Sequence, residues 1–591
     1  MQHFHEDEIT GKAYDGRLMR RLLTYLKPYR LQVAVAIVLM LGYTFADLAT
    51  PYLVKVAIDD YIMDGDFSQI HTLLIIFLAV LIFQFIIRFS QTYLMEWIGQ
   101  KVIYDIRMHV FSHLQELSLK YFTNNPVGRL VTRVTTDIET LNQLFSAGIV
   151  AIFGDIFLLT GIVIVMLNIN WKLALVTFSV LPALFYVTMV FRFKVRKSFR
   201  SIRLRIAKIN AYLQENISGM LIVQLFNRER LNLRRFDELN HSHFEAYVKT
   251  ILYFAIFFPT VELISSIAIA LIIWYGGTLY LQEAVTFGVL AAFIQYSRRF
   301  FRPISDLSEK YNIMQLAMAS SERIFGVLDK KPLILNEPKD RPIKKDIAYI
   351  EFQNVWFKYN DEDSYVLKDV SFTVDKGEKI AIVGYTGAGK TTIINLLCRF
   401  YDVEKGKILL NGIDIKDYDL HELRSYIGLV LQDIVIFSGD IKSNIRLGDQ
   451  SISEEAIVQA AKDVHMHQFI EKLPQKYDEE VRERGSTLSM GQRQLLSFAR
   501  ALAFNPEILI LDEATSSIDT ETELLIQDAL KRLMMNRTSI IIAHRLSTIK
   551  FCDKIIVIHK GEIREIGSHT ELIRKKGIYN KLYQLQHKVH V

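Results

Sequence analysis

Six long apolar segments in the first half of the chain constrain its fold more than any other feature. Each is about long enough to cross the roughly 30 Å hydrocarbon core of a bilayer as a helix. They lie at Val33–Ala57, Leu73–Trp97, Phe145–Leu167, Leu173–Phe193, Ile251–Tyr275 and Val285–Arg302. So many runs in one half of a 591-residue chain do not suit the buried helices of a water-soluble protein. The sequence therefore predicts a polytopic membrane domain followed by a soluble part.

The basic residues predict how these segments are oriented. Arginine and lysine are concentrated before the first segment and in the long connections after the second and fourth, whereas the first loop, Asp59–Gln69, is acidic. By the positive-inside rule, both termini and the long connections are cytoplasmic. The same placement accounts for the net charge of +6, so no nucleic-acid partner is expected. The start of the chain lacks the pattern of a cleaved signal peptide.

Changes in composition predict four parts. Residues 1–30 are expected to form a polar tail and a basic amphipathic helix, Gly16–Leu26, that lies on the membrane surface. The membrane domain, 31–328, is expected to carry long helical connections that project into the cytosol. A stretch rich in proline, lysine and aspartate, 329–346, is the predicted linker.

The remainder, 347–591, alternates strands with helices, as an α/β nucleotide-binding domain does. The predicted fold is thus a six-helix membrane domain fused to an α/β P-loop domain. The predicted strands are Ile347–Val355, Val370–Val374, Lys379–Val383, Lys407–Leu410, Ile508–Leu511, Ser539–Ile542 and Lys554–His559.

A glycine-rich segment between a strand and a helix predicts a phosphate-binding P-loop. The strand Lys379–Val383 precedes it, and a helical apolar pattern from Ile393 to Leu397 follows. Glycines let successive backbone N–H groups turn towards a polyphosphate, and the helix N-terminus adds its positive dipole end. Lys390 would reach the β- and γ-phosphates of ATP, and the Thr391 hydroxyl would bind Mg²⁺. The predicted ATP-contacting residues here are Gly384, Tyr385, Thr386, Gly387, Ala388, Gly389, Lys390, Thr391 and Thr392.

Two adjacent carboxylates predict the hydrolytic chemistry. Ile508–Leu511 is apolar throughout, as a buried central strand is, and it ends in Asp512 and Glu513. Asp512 would bind Mg²⁺. Glu513 would orient, or accept a proton from, the water that attacks the γ-phosphate.

At this point the chain resembles a known family, the ATP-binding cassette (ABC) transporters, over essentially its whole length. The segment Leu488–Gln492 reads Leu-Ser-Met-Gly-Gln and resembles the family signature, usually Leu-Ser-Gly-Gly-Gln. A six-span domain ahead of one cassette is similar to exporter half-transporters of the multidrug type. Further residues match family motifs: Tyr359, which stacks on adenine; Gln432, which contacts Mg²⁺ and senses the γ-phosphate; Asp519 of the D-loop; and the switch residue His544.

The resemblance also implies elements that connect the cassette to the membrane domain. Glu480–Gly485 resembles a short loop found in exporters that meets the membrane domain. Phe122–Gly128 and Phe226–Phe236 fall where that class has its two coupling helices.

The mechanism that the resemblance implies requires two chains. The signature of one cassette covers an ATP held on the P-loop of the other, with Ser489, Gly491 and Gln492 near the γ-phosphate. ATP then joins the cassettes, hydrolysis releases them, and the spans rock between inward-open and outward-open states. The implied function is ATP-driven export of amphipathic drugs or lipids across a bacterial plasma membrane. The alternative is an ATP-gated channel or regulatory complex that does not pump.

Two carboxylates inside the spans are the only hint about the substrate. Asp155 lies near the middle of the third span and Glu262 near the middle of the fifth. A charge at bilayer depth is costly and usually faces a cavity or a partner. Either residue would line the pathway and favour cationic substrates, or would form a hydrogen bond that packs the helix bundle.

Met490 predicts the kind of dimer. It replaces the first glycine of the usual signature, and its side chain would crowd the approach of the backbone to the γ-phosphate. In heterodimeric exporters of this family, the subunit with intact hydrolytic residues often carries the imperfect signature. The sequence thus favours a heterodimer with one competent and one degenerate ATP site. A homodimer that tolerates the substitution is the alternative.

Overall fold

The computed structural model describes residues 15–63, 70–334, 336, 347, 349–360, 362–482, 485–512, 520–543 and 546–589. Within these ranges, the side chains of residues 147–151, 302, 304–309, 311, 312, 520, 546, 547 and 586–589 are not described. The expected polar tail before residue 15 and most of the predicted linker lie outside the described residues. The chain forms two compact units. The first comprises the described residues up to Glu116 and Pro126–Lys331, and the second comprises Leu117–Asn125 and the described residues from Pro332 onward.

The first unit, here called the membrane unit, is built from helices, with three π-helical segments at Ala57–Met63, Arg133–Asp137 and Leu144–Gly148. The twelve α-helices up to residue 328 are α1 (Gly16–Thr24), α2 (Arg30–Val56), α3 (Ile70–Glu116), α4 (Leu119–Asn124), α5 (Val127–Thr132), α6 (Ile138–Gln143), α7 (Ile149–Ile169), α8 (Trp171–Phe178), α9 (Leu181–Ser218), α10 (Met220–Leu225), α11 (Glu229–Leu281) and α12 (Phe287–Leu328). Of these, α4 belongs to the second unit.

All six predicted spans coincide with helices. Five described helical stretches are long and apolar enough to cross a membrane: Lys27–Met63, Ile70–Glu116, Ile152–Ile169, Trp171–Ser218 and Glu229–Leu281. The sixth span lies in α12, whose side chains are described only in part. The helices α3 and α11 contain 47 and 53 residues. At about 1.5 Å per residue each is at least twice as long as the bilayer core is thick.

The fourth span differs from the prediction because it is interrupted. Helix α8 ends at Phe178, and α9 begins at Leu181 with a proline in its first turn. Proline has no N–H and is best tolerated in the first turn of a helix, which is the position that the break between α8 and α9 gives it.

The interior of the membrane unit is aromatic and aliphatic. Phe293 and Tyr296 of α12 are fully buried among residues of α7, α8 and α11. The Tyr296 hydroxyl donates a hydrogen bond of 2.6 Å to the carbonyl of Leu48 in α2. A second cluster joins α9 to α11, with Phe191 stacked on Phe257 at 3.9 Å between ring centroids.

The two segments predicted as coupling helices lie at or next to short helices of the structure. Phe122–Gly128 begins inside α4, and Phe226–Phe236 begins one residue after the end of α10. In the second case Gly219 ends α9, and Asn227, with a φ of 50°, ends the short helix that follows. Most of Phe226–Phe236 is instead the first part of α11. Their role as coupling helices stays a prediction.

The second unit, here called the cassette, contains two sheets and a short pair, β7–β8. Four strands form an antiparallel sheet in the order β2-β1-β4-β5. Six strands form a mainly parallel sheet in the order β12-β11-β3-β10-β9-β6. The strands are β1 (Tyr349–Phe357), β2 (Leu367–Asp375), β3 (Lys379–Val383), β4 (Lys405–Leu410), β5 (Ile413–Asp414), β6 (Ile427–Val430), β7 (Gly439–Asp440), β8 (Glu480–Val481), β9 (Ile508–Asp512), β10 (Thr538–Ile542), β11 (Lys554–His559) and β12 (Glu562–Gly567).

Helices contribute to the cores on both faces of the six-stranded sheet. They are α13 (Lys390–Leu397), α14 (Leu420–Ser425), α15 (Ile441–Arg446), α16 (Glu454–Asp463), α17 (His467–Ile470), α18 (Met490–Ala503), α19 (Thr520–Leu533), α20 (Leu546–Ile549), α21 (His569–Lys575) and α22 (Ile578–Val589). The central strands β9 and β10 are apolar and buried on both faces, as parallel strands between helices must be. Strands β3, β9 and β10 are parallel, so their carboxyl ends lie at the same edge of the sheet.

Candidate nucleotide-binding site

The glycine-rich segment 384–391, the P-loop, connects β3 to α13 as predicted. Gly389 has a φ of 101°, a conformation that residues with a side chain rarely adopt. At Gly384 a Cβ atom would lie 2.3 Å from the carbonyl oxygen of Ile558, so only glycine fits. Helix α13 starts at Gly389 without a side-chain cap, which leaves its first N–H groups and its dipole directed at the loop. This is the geometry of an anion site.

Lys390 is the buried cation of this loop. Its side chain is only 7% exposed, and its ammonium donates hydrogen bonds to the carbonyls of Gly384 at 2.8 Å and Tyr385 at 3.2 Å. Loss of hydration lowers the pKa of Lys390 from its usual value, against the attraction of the Asp512 carboxylate, which raises it. The fold thus holds a poorly solvated positive charge under the loop, where a polyphosphate would neutralise it.

The neighbouring residues of the loop and helix have different surroundings. Tyr385 is exposed, and its ring lies edge-on to His559 at 5.9 Å between centroids. Thr391 is exposed, whereas Thr392 is buried.

Tyr359, predicted to stack on adenine, is held on several sides. Its hydroxyl shares a hydrogen bond of 3.1 Å with the Thr392 hydroxyl and lies 3.5 Å from the Asn395 amide nitrogen. Its ring packs edge-on against Phe357 and Tyr401, at 4.9 and 5.1 Å between centroids. The ring is therefore joined to the P-loop helix and has a defined orientation. Thr392 is predicted to contact ATP, and its hydroxyl takes part in this hydrogen bond with Tyr359.

Asp512 and Gln432 lie at the same edge of the parallel sheet. Asp512 is the last residue of β9, and Gln432 follows β6, whose Val430 pairs with Leu511. Both residues line one cleft, together with Met490 at the start of α18. Among the described residues that line this cleft, none belongs to the P-loop.

The signature segment, Leu488–Gln492, forms the N-terminus of α18. Ser489 caps the helix: its Oγ accepts a hydrogen bond of 3.2 Å from the Gln492 backbone N–H, and the Gln492 side chain accepts one of 2.9 Å from the Ser489 N–H. The Ser489 oxygen acts here as an acceptor, so its hydroxyl hydrogen can still be donated to a ligand. Gly491 is buried, whereas Met490 is 41% exposed, and its sulfur accepts a hydrogen bond of 3.5 Å from Arg493.

Three predicted site residues lie outside the described residues: Glu513, Asp519 and His544. In the sequence, Glu513 comes directly after the last residue of β9, and His544 comes two residues after the last residue of β10. Their roles remain predictions.

Sequence reasoning missed a network that joins α18 to the segment after Gln432. The Arg500 guanidinium donates to the carbonyls of Asn444 at 2.9 Å and Val435 at 3.1 Å. Asn444 is buried, and its side chain exchanges hydrogen bonds of 2.9 and 2.8 Å with the backbone of Phe437. Burial lowers the pKa of Arg500, which remains charged. No sequence motif marks these residues, because each contact depends on loops that meet only in the fold.

Comparison with known proteins identifies both units. The model of the ABC transporter transmembrane region matches residues 33–304, and the ABC transporter model matches 367–516. The probable multidrug resistance ABC transporter ATP-binding/permease protein YheH of Bacillus subtilis is 40% identical over 86% of this chain and 76% of its own length. The ATP-dependent lipid A-core flippase of Syntrophus aciditrophicus is 36% identical over 97% of this chain and 95% of its own.

A solved structure supports the same assignment. The chain is similar to a bacterial Atm1-family ABC exporter with ATP bound, with a TM-score of 0.77 and 29% identity over 97% of this chain and 99% of that one. The predicted fold class, a helical membrane domain fused to an α/β nucleotide-binding domain, is confirmed. This chain belongs to the ABC exporters: it is a multi-pass membrane protein that binds ATP, couples its hydrolysis to transport, and functions as a dimer.

Proposed function

We propose that the protein exports amphipathic small molecules, either drugs or lipids, by ATP-driven alternating access. The main support is the buried ammonium of Lys390 beneath a P-loop in which Gly384 leaves no room for a Cβ atom and Gly389 has a backbone conformation that favours glycine. Relatives that cover both units include a multidrug resistance protein and a lipid flippase, which favours amphipathic substrates. ATP binding drives the cycle only if ATP favours the closed cassette dimer over the open one.

Each site residue has a separate role in ATP binding or hydrolysis. Tyr359 stacks on adenine, and Lys390 with the P-loop N–H groups neutralises the phosphates. Thr391, Gln432 and Asp512 would hold Mg²⁺, which would neutralise the negative charge of the phosphates during hydrolysis. Glu513 and His544 act on the attacking water and the γ-phosphate. Ser489, Gly491 and Gln492 reach an ATP on the partner chain, and Asp519 lies at the same interface.

The proposed arrangement in the membrane follows the charge distribution. Both termini and the cassette lie on the cytoplasmic side of a bacterial plasma membrane, because the basic connections do. The membrane domain spans 31–328, the linker 329–346 and the cassette 347–591. Helix α1 carries basic and apolar residues on different sides and suits the membrane surface.

A transport assay separates pumping from gating. We expect inside-out vesicles that contain the active dimer to accumulate a fluorescent amphipathic dye against its gradient when ATP is added. The signal should disappear when ATP is replaced by an analogue that cannot be hydrolysed. Dye movement that depends on ATP but only runs down its gradient would identify a gated pathway and contradict the proposal.

Within this function, we propose that the active dimer is a heterodimer. The chain has all the residues predicted for ATP hydrolysis, including the buried Lys390 and Asp512 at the end of β9. Its signature segment, in contrast, carries Met490 in place of the usual glycine. The side chain of Met490 is exposed at the start of α18. In a homodimer it would crowd both ATP sites, whereas in a heterodimer it would crowd only the degenerate one.

Expression with and without a partner tests this proposal. The chain purified alone should have little ATPase activity, and activity should appear when a second half-transporter is co-expressed. Because Met490 then covers the degenerate site, Met490→Gly should change the activity of the heterodimer less than about twofold. Robust, cooperative ATPase from a homodimer, raised further by Met490→Gly, would contradict the heterodimer.

A further inference from the structure

Three carboxylates lie well inside the membrane-spanning segments, and the structure gives them different surroundings. Asp47 of α2 forms an ion pair with Arg299 of α12 at 2.7 Å. Asp155 of α7 forms an ion pair with Lys310 of α12, and both of these side chains are largely buried. Glu262 of α11 is exposed and has no ion pair or hydrogen bond within the part of the chain that the structure describes.

This difference in pairing favours Glu262 over Asp155 as the residue that lines the pathway. An ion pair inside the helix bundle neutralises the charge of Asp155, so this carboxylate serves packing. A lone charged carboxylate that faces hydrocarbon at bilayer depth is costly. Glu262 therefore faces water or a partner rather than lipid tails.

Helix α11 presents three distinct faces at this depth. One face packs against α9 through buried residues such as Phe257, Val261 and Ile264. A second face is exposed and made of large apolar side chains, which suit lipid: Leu252, Ile256, Leu263, Ile267 and Trp274. The third face is also exposed, but between residues 255 and 266 it carries two small apolar residues and two polar ones: Ala255, Pro259, Glu262 and Ser266.

The third face is rich in hydrogen-bond acceptors. Pro259 lies inside α11 and has no N–H, so it cannot donate the helical hydrogen bond to the carbonyl of Ala255. This carbonyl lies on the same side of the helix as the Glu262 carboxylate, and the Ser266 hydroxyl follows one turn later. A carboxylate and a carbonyl that lacks its helical hydrogen bond from residue 259, on one face, create a negative potential that attracts cations.

An aromatic ring stands beside the carboxylate. Phe258 precedes Glu262 by one helical turn, and its ring is 51% exposed. Residues four positions apart on a helix are neighbours, so the ring and the carboxylate can contact one ligand. The face of an aromatic ring attracts a cation and also packs against a planar apolar group.

We propose that Glu262, with Phe258 and the Ala255 carbonyl, forms a recognition site for amphipathic cations in the transport pathway. The inference rests on the proposed export function and names its substrate class. The carboxylate binds the positive charge, and the ring binds the apolar part of the same molecule. Asp155 takes no part in recognition.

Efflux of two probes of different charge tests the site. Cells that produce the full-length protein with its partner are loaded with ethidium, a permanent cation, or with the uncharged acetoxymethyl ester of calcein. We expect Glu262→Gln to raise the half-saturating concentration for ethidium about tenfold, the effect of losing one charged interaction, and to change that for the ester less than twofold. Glu262→Asp should restore most of the ethidium efflux.

Asp155→Asn is the matched control, since it also removes one carboxylate from the membrane unit. It breaks a pair with Lys310 and should lower the amount of folded protein and the efflux of both probes in equal proportion. The inference would be overturned if Glu262→Gln reduced the efflux of both probes equally or reduced neither. It would also be overturned if Glu262→Gln made the dimer dissociate, because Glu262 would then contact the partner. A wild-type protein that exports the ester but not ethidium would also overturn it. A wild-type protein that exports neither probe would overturn the inference and would also contradict the export of drugs in the proposed function.

Discussion

Replacing Glu513 by glutamine should reduce ATP turnover at least about 100-fold, because a general base contributes roughly 10²–10⁴ to a rate. Glutamine has nearly the same shape but cannot accept a proton from the attacking water. ATP binding should be retained, since the phosphates are held by Lys390 and the P-loop. The measurements are the kcat of ATP hydrolysis by the full-length dimer and the Kd for MgATP. Turnover close to that of the wild-type protein would show that another group positions the water.

The matched control for this variant is Glu507→Gln. Glu507 precedes β9, so it lies at the opposite end of the strand that leads to Glu513. Its carboxylate accepts a hydrogen bond of 3.0 Å from the Ile347 backbone N–H, which a glutamine oxygen can also accept. We therefore expect Glu507→Gln to keep its turnover within about twofold of wild type, and a large loss would indicate damage to the strand instead of lost chemistry.

Strands and spans with a strong apolar pattern were predictable from the sequence. The predicted bounds of β3 and β11 agree with the structure, and β9 and β10 differ by a single residue. These strands are buried on both faces, so they are almost continuously apolar and can be recognised as strands from their composition alone. Strands β6 and β12 were not predicted, because β6 is short and contains Gly428, and β12 is half-exposed with charged residues. A short or polar strand is defined by its neighbours in the sheet and not by its own residues.

The motifs of the site were predictable, but the contacts among them were not. Chain order places the P-loop after β3 and Asp512 after β9, and the parallel sheet brings these ends to one edge. In contrast, the tether between Tyr359 and Thr392 joins residues 33 positions apart. The separation between Arg500 and Asn444 is 56 positions. Such pairs follow from the tertiary packing of helices against one another and against loops, which leaves no periodic pattern in the sequence.

The intramembrane carboxylates illustrate the same limit. By sequence, Asp155 and Glu262 are equivalent, since each is a single acidic residue near the middle of a span. The structure distinguishes them because Lys310, far away in the chain, lies beside Asp155. The pairing of a buried charge depends on tertiary contacts, so sequence reasoning had to leave both alternatives open.

Replacing Lys390 by methionine should weaken ATP binding by roughly 30- to 100-fold, which corresponds to about 2–3 kcal/mol for charged hydrogen bonds. Methionine keeps an unbranched chain in the same space but removes the charge that neutralises the phosphates. The measurements are the Kd for MgATP and the rise in Tm that saturating MgATP produces. We expect the affinity to fall and the ATP-dependent rise in Tm to shrink with it.

The same variant should not lower the Tm of the nucleotide-free protein, and this second result follows from the pKa. Burial lowers the pKa of Lys390 below its value in the unfolded chain, so the unfolded state binds the proton more tightly. At a pH below the folded-state pKa, the charged lysine therefore costs stability. This cost is lost as the pH rises through the folded pKa towards the unfolded value. The control is Lys379→Met at the other end of β3, for which ATP affinity should stay within about twofold of wild type. Unfolding of the nucleotide-free cassette in the Lys390→Met variant would show that Lys390 is a structural residue. Normal ATP binding by this variant would show that other residues neutralise the phosphates.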